Sequence, residues 1–173
     1  MQQILYRLTQ FWLDLFPAML GEQEQKVIKD SLSRSEYELF LKYSKSDQYH
    51  AYRVFKMLED ANHLDPDLLT AALLHDIGKA KYPITILDRV WPVLVKKLSP
   101  STYYKWGEDE GVRWKRPFAI KLQHAAWGAE MAKAAGCSDT TVSLIRRHQD
   151  PLPQISTEED QLLHWLQWSD DQN

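Results

Sequence analysis

Six histidines are spread along the chain. Four of them, His50, His75, His124 and His148, fall on or at the ends of segments with helical apolar periodicity, beside small or apolar neighbours. The most informative stretch is Ala71-Ala72-Leu73-Leu74-His75-Asp76-Ile77-Gly78-Lys79, where a His-Asp pair ends an apolar run just before a glycine. A buried polar group without a partner costs on the order of 1–3 kcal/mol, so such a pair must be hydrogen-bonded, ion-paired or bound to a metal. A single buried histidine is more often a hydrogen-bonded core residue than a ligand, but four of them with nearby aspartates change that balance. Neutral imidazoles with anionic carboxylates suit borderline divalent cations, Fe or Mn first, with Zn, Ni, Co and Mg also admissible. Cys137 is the only cysteine, so no thiolate set is offered for a closed structural zinc site.

Read in order, the residues are His50, then His75-Asp76-Ile77-Gly78-Lys79, then His124, His148 and Asp170. This series resembles the HD superfamily of metal-dependent phosphohydrolases in its HDIG form, and the resemblance extends from about residue 46 to the C-terminus. It implies an all-α fold and a water nucleophile activated by metal. Carried over by position, it implies that His50, His75, Asp76 and Asp170 hold one divalent ion and that His124 and His148 hold a second, with Asp76 bridging the two. Paired ions acidify a shared water and clamp phosphoryl oxygens, which suits hydrolysis of a phosphoester. Asp76 and Lys79 are the expected catalytic residues, Lys79 meeting the phosphate as a point charge. Asp170 is preferred over the adjacent Asp171 because the family's aspartate usually follows a small residue, here Ser169. Arg147 stands where dinuclear relatives often carry another histidine, so a mononuclear site is also open, with His124 and His148 then contacting substrate. His63 and His164 lie outside the motif and are read as solvent-facing or locally hydrogen-bonded.

On the substrate side, residues 103–116 mix aromatics, cations and two glycines. They are read as part of one long irregular stretch from Ser99 to Pro117. Trp114 or Trp106 is suited to stack on a base, and Arg113, Lys115 or Arg116 to meet phosphate; against this, the aromatics suffice to pin a loop to the domain surface. The expected substrate-binding residues are Lys79, Trp114 and Arg147. Gln149-Asp150-Pro151-Leu152-Pro153 follows His148, which does not match the glycine-tyrosine-proline signature of the family's cyclic-di-GMP phosphodiesterases.

Helices must position these groups. Apolar residues recur at steps of three and four nearly everywhere, and no segment alternates like a strand between hairpin turns. The pattern predicts a single-domain, all-α bundle with helices near 3–19, 34–44, 47–63, 66–77, 84–98, 117–135, 139–149 and 157–171. Residues 1–45 are expected to form N-terminal helices packed on the core, and 46–173 the motif-bearing domain. Asp65 before Pro66, Ser138 before an acidic turn, and Ser156 with Glu159 read as N-caps. Gly78 and Gly136 fall where helices should stop.

With 173 residues, one hydrophobic core is expected. A net charge of −3, from 21 basic and 24 acidic residues, excludes the broad positive field of a DNA-coating protein. Arg7 and Asp14 interrupt the apolar N-terminus, so no stretch there approaches the roughly 20 uncharged residues of a membrane span. Its amphipathic face, including Phe11, Trp12 and Phe16, is expected to dock on the core or on a second copy in a homodimer, peripheral membrane attachment being disfavoured by a polar face short of Lys and Arg. A lone cysteine fits a reducing, cytoplasmic setting. The expected partner is a small phosphorylated substrate, a nucleotide in class; the competing readings are a non-catalytic sensor or partner-binding module and a di-iron oxygenase.

Overall fold

A computed structural model of the chain describes residues 19–83 and 85–173. Among these residues the structure is helical, with no strand. In chain order the elements are α1 (Glu22–Ser31), α2 (Arg34–Phe40), α3 (Lys45–Asp60), α4 (Pro66–Leu74), a 3₁₀ segment (Ile77–Lys81), α5 (Ile86–Leu98), α6 (Pro100–Gly107), a short 3₁₀ turn (Arg113–Lys115), α7 (Arg116–Ala134), α8 (Asp139–Arg147) and α9 (Glu158–Gln172). The helix expected over 3–19 lies outside the described residues.

Helix α4 is the centre of the molecule. Leu68, Ala71, Ala72, Leu73 and Leu74 are buried, so it is covered on nearly all sides, by α3, α8 and α9. Asp65 caps its start, its Oδ1 accepting from the backbone N–H groups of Asp67 and Leu68 at 2.9 and 3.0 Å. The N-terminus of α8 is fastened beside it. Ser138 Oγ and Thr141 Oγ1 both bond Asp67 Oδ1, the latter at 3.0 Å. Helices α4 and α8 each contain nine residues and run in the same direction from this junction. They therefore end side by side, with His75 and His148 as their C-caps.

Helix α7 brings the third histidine against them. Ile120, His124, Gly128 and Ala132 recur at steps of four along its buried stripe, facing the 3₁₀ segment and α8. Gly78 lies in that segment with its Cα against α7: a Cβ there would stand 2.0 Å from the His124 carbonyl oxygen and 2.7 Å from Gly128 N. The expectation that Gly78 stops a helix is therefore corrected; close backbone approach is what requires glycine here. Gly136 does end α7, with a φ of +89°.

Three further expectations are revised. The stretch from Ser99 to Pro117 is not irregular throughout, because Pro100 opens the eight-residue α6 as a first-turn proline. Helix α1 had no clear signal, since Ile28 is its one buried residue. The capping box of α9 belongs to Thr157 and Asp160 rather than to Ser156 and Glu159. Ile28, Leu39 and Phe40 from the N-terminal helices, with Tyr43 from the turn before α3, join the same apolar cluster as Val54, Leu58, Leu74 and Leu166.

Replacing Gly78 with Ala drives a methyl group into the α7 backbone. The variant should lose about 1–3 kcal/mol, read by urea denaturation, and its divalent metal content by elemental analysis should fall with it. Unchanged stability would mean that the two segments separate freely.

Candidate metal centre

His75 and Asp76 leave the end of α4, His148 the end of α8, His124 the middle of α7, His50 the second turn of α3, and Asp170 the last turns of α9. The five elements converge on one carboxylate. Asp76 Oδ2 stands 3.4 Å from His75 Nε2 and 3.7 Å from His50 Nε2, while Oδ1 stands 3.1 Å from His124 Nε2 and 3.7 Å from His148 Nε2. Asp170 Oδ1 completes the first side, 3.0 Å from His50 Nε2 and 3.5 Å from His75 Nε2; Asp171 is exposed. Two groups of ligand atoms thus lie within 4.8 Å, His50-His75-Asp76 and Asp76-His124-His148, with Asp76 common to both.

The orientation of the rings is set locally. Nδ1 of His75, His124 and His148 bonds the carbonyl oxygen of Ala72, Ile120 and Ile145, at 3.0, 2.8 and 2.7 Å. A carbonyl cannot donate, so each Nδ1 carries the proton and each Nε2 of a neutral ring presents a lone pair. These three Nε2 atoms are buried and have no hydrogen-bond partner. Lone pairs directed at carboxylate oxygens repel unless a cation lies between them. The donor set fits a divalent ion: ligand bonds of about 2.1 Å at octahedral or tetrahedral angles separate neighbouring ligand atoms by about 3.0–3.4 Å. Backbone carbonyls behind the far ring nitrogens are the usual support for ligating imidazoles.

The electrostatics express the same demand for positive charge. Burial alone would depress His75, but Asp76 and Asp170 outweigh it and raise the ring to about 10, so that without a cation between them the ring itself takes a second proton, on Nε2. Burial, aided by the charge on His75, pushes His148 down to about 3. Burial would raise Asp76, yet Lys79 and His75 hold its carboxyl well below the usual range. Burial would likewise raise Asp170, and His75 and His50 pull it down instead. Lys79 Nζ is ion-paired to Asp76 Oδ2. The mouth of the site is formed by His50, Lys79 and Asp170, whose side chains retain 25–31% of their exposure.

Two supporting residues carried no signal in the motif. Tyr43, almost fully buried, accepts the Asp76 backbone N–H on its hydroxyl at 3.0 Å across 33 residues of sequence. Burial, then the charges of Asp76 and Asp47, raise its own pKa well above that of an ordinary phenol, so the hydroxyl stays neutral. Ser169 is fully buried and donates to the Val54 carbonyl at 2.8 Å. That bond seats the end of α9 on α3 one turn from His50, which explains the small residue before Asp170. Neither the burial of Tyr43 nor its partner is legible in the sequence, because the two residues of the bond stand 33 apart.

Arg147 is committed elsewhere. Its guanidinium donates to Glu159 and Asp160, both at 2.6 Å, and so joins the end of α8 to the start of α9. Trp114 is 54% exposed, with its ring 5.0 Å from Trp106, which in turn packs 5.2 Å from Phe118. Residues 108–116 are also fastened to the segment after Lys79, where Glu110 accepts from Lys81 Nζ at 2.7 Å and from the Tyr82 hydroxyl at 3.3 Å. His63 is half-buried, stacked 3.9 Å from the ring of Trp165, which corrects the expectation of a solvent-facing or locally hydrogen-bonded residue. His164 is also half-buried beside Trp165.

No helix among the described residues is long and apolar enough to cross a membrane. The family model of the HD domain matches residues 48–166, more than half of the chain, and the chain belongs to that family. No curated protein and no solved structure matches it.

Tyr43→Phe keeps the ring and removes only the acceptor for Asp76. Supporting partners of metal ligands typically govern about 10–100-fold in affinity. The variant should fold with unaltered helical content by circular dichroism and bind Mn²⁺ at least about tenfold more weakly by calorimetry; equal affinity would make the bond a purely structural one.

Proposed function

We propose that this HD-domain chain is a metal-dependent phosphohydrolase that cleaves a phosphoester of a small molecule, a nucleotide being the first class to test. The observation that carries the reading is the division of the Asp76 carboxylate, one oxygen toward His50 and His75 and the other toward His124 and His148. That arrangement suits two divalent ions, of Fe or Mn in the first instance, bridged by Asp76. His50, His75, Asp76 and Asp170 would hold one ion, and His124, His148 and Asp76 the other. Divalent ions held there would acidify water and neutralise phosphoryl oxygens as charge develops.

The protein's own groups have separable roles in this reading. The Nδ1 bonds keep three imidazoles in the tautomer whose Nε2 is free to ligate. His148, pushed down to about 3, stays neutral across the working range. Lys79 is a cation at the mouth, paired with Asp76; burial lowers its pKa, but Asp76 and Asp47 more than restore it. It is therefore charged and placed to donate to a phosphoryl oxygen on the open side. Trp114, exposed on the stretch that Glu110 fastens to Lys81 and Tyr82, is a candidate to stack on a base. Arg147 has no part, because Glu159 and Asp160 hold it.

Metal content separates this reading from its neighbours. Protein purified anaerobically should carry about two ions per chain, His124→Ala about one and Asp76→Ala essentially none. With Mn²⁺ or Fe²⁺, phosphate release from a panel of 2′-, 3′- and 5′-nucleotides should fall at least about 100-fold in Asp76→Ala. Full metal occupancy without phosphate release from any ester in the panel would overturn the hydrolase reading and favour a non-catalytic module.

A further inference from the structure

Helix α5 packs on α6 and α7, and its inward-facing Pro92 is buried. Its outer side is apolar. Val90, Trp91, Val93, Leu94 and Leu98 are all exposed, Leu98 at 83%, in positions where an ordinary surface helix carries polar residues. Val90, Leu94 and Leu98 follow at steps of four with Trp91 beside them, so they form one ridge. Tyr104 of α6 is exposed as well. A contiguous apolar patch of this kind on a soluble domain usually marks an interaction surface.

The charges around the ridge indicate what would cover it. Lys97 and Lys105 are exposed, whereas the ammonium of Lys96 turns away from the ridge and lies 5.4 Å over the Tyr103 ring of α6. Asp88 is the only acidic residue between 85 and 107, and its carboxylate is used within the helix, accepting from the Thr85 N–H at 2.7 Å and hydroxyl at 2.9 Å. A cationic, apolar surface thus stands on a chain whose net charge is −3. At about 100° per residue, Lys97 projects within the arc of Val90, Val93 and Leu94. Ridge-to-ridge pairing with a second copy would bring two Lys97 ammonium groups toward each other, whereas an anionic surface would meet them favourably. Trp91 and Tyr104 are of the type that settles at the headgroup level of a bilayer.

We infer that α5, with Tyr104 of α6, is a contact site for an anionic lipid bilayer. The helix lies in the plane of the surface, with its ridge at the headgroup boundary and Lys97 on lipid phosphates. This does not depend on the hydrolase reading, and it leaves the metal centre on other helices.

The test is sedimentation of the full chain with phosphatidylcholine vesicles, with and without phosphatidylglycerol. Binding should need the anionic lipid, weaken as salt is raised, fall about fivefold in Lys97→Gln, and drop to the neutral-vesicle level in Leu94→Glu/Leu98→Glu. Both variants replace exposed side chains, and unchanged metal content and circular dichroism would show that they fold. Failure to bind anionic vesicles overturns the proposal, as does undiminished binding by the double variant. So does a dimer in light scattering that the double variant dissociates without any vesicle binding, since the ridge would then belong to a second copy.

Discussion

The Asp76 carboxylate has only two oxygens, and each is faced by imidazole nitrogens from a different pair of helices. Everything around the centre follows from that constraint. A carboxylate so deeply buried is tolerable only if positive charge reaches both oxygens, and Lys79 supplies it at the open side alone. On the inner side stand Nε2 atoms of His124 and His148, whose protons are held on Nδ1 by helix carbonyls. The cluster is therefore organised for cations that bind imidazole lone pairs, and its polar groups remain poorly satisfied without them.

Holding five elements to within a few tenths of an ångström of such a geometry requires devices remote from it. Equal lengths of α4 and α8, joined at their starts through Asp67, Ser138 and Thr141, bring their terminal histidines together at a ring separation of 5.2 Å. Backbone contact between Gly78 and α7 brings in His124. Ser169 seats α9 on α3, so that Asp170 meets His50. Tyr43 fixes the peptide of Asp76 itself. Each device acts at a helix end or a helix crossing, where one small residue or one hydrogen bond sets the position of a whole element.

Surface charges do related work at lower cost. Arg147, half-buried and held between Glu159 and Asp160, joins two elements that each carry a proposed ligand. Glu110 ties residues 108–116 to Lys81 and Tyr82, beside the mouth of the site. Helix α5 stands apart from this pattern, because its outward apolar ridge contributes nothing to the core.

The all-α class and the approximate extents of α3, α4, α7, α8 and α9 were legible in the sequence, since helical periodicity and caps such as Asp65 and Ser138 are local signals. The His75-Asp76 pair was legible too, because such a pair at the end of an apolar helix is costly without partners, and the remaining histidines and Asp170 followed from the resemblance to the HD pattern. Helices α1 and α6 were not legible: one has a single buried residue, and the other opens with a proline amid loop-like glycines and aromatics. The roles of Tyr43, Ser169 and Gly78 were decided only in the tertiary structure, as was the commitment of Arg147 to Glu159 and Asp160. Those contacts join residues distant in the chain, and residue type and spacing carry chemical capacity and local conformation but not the identity of a partner from another helix.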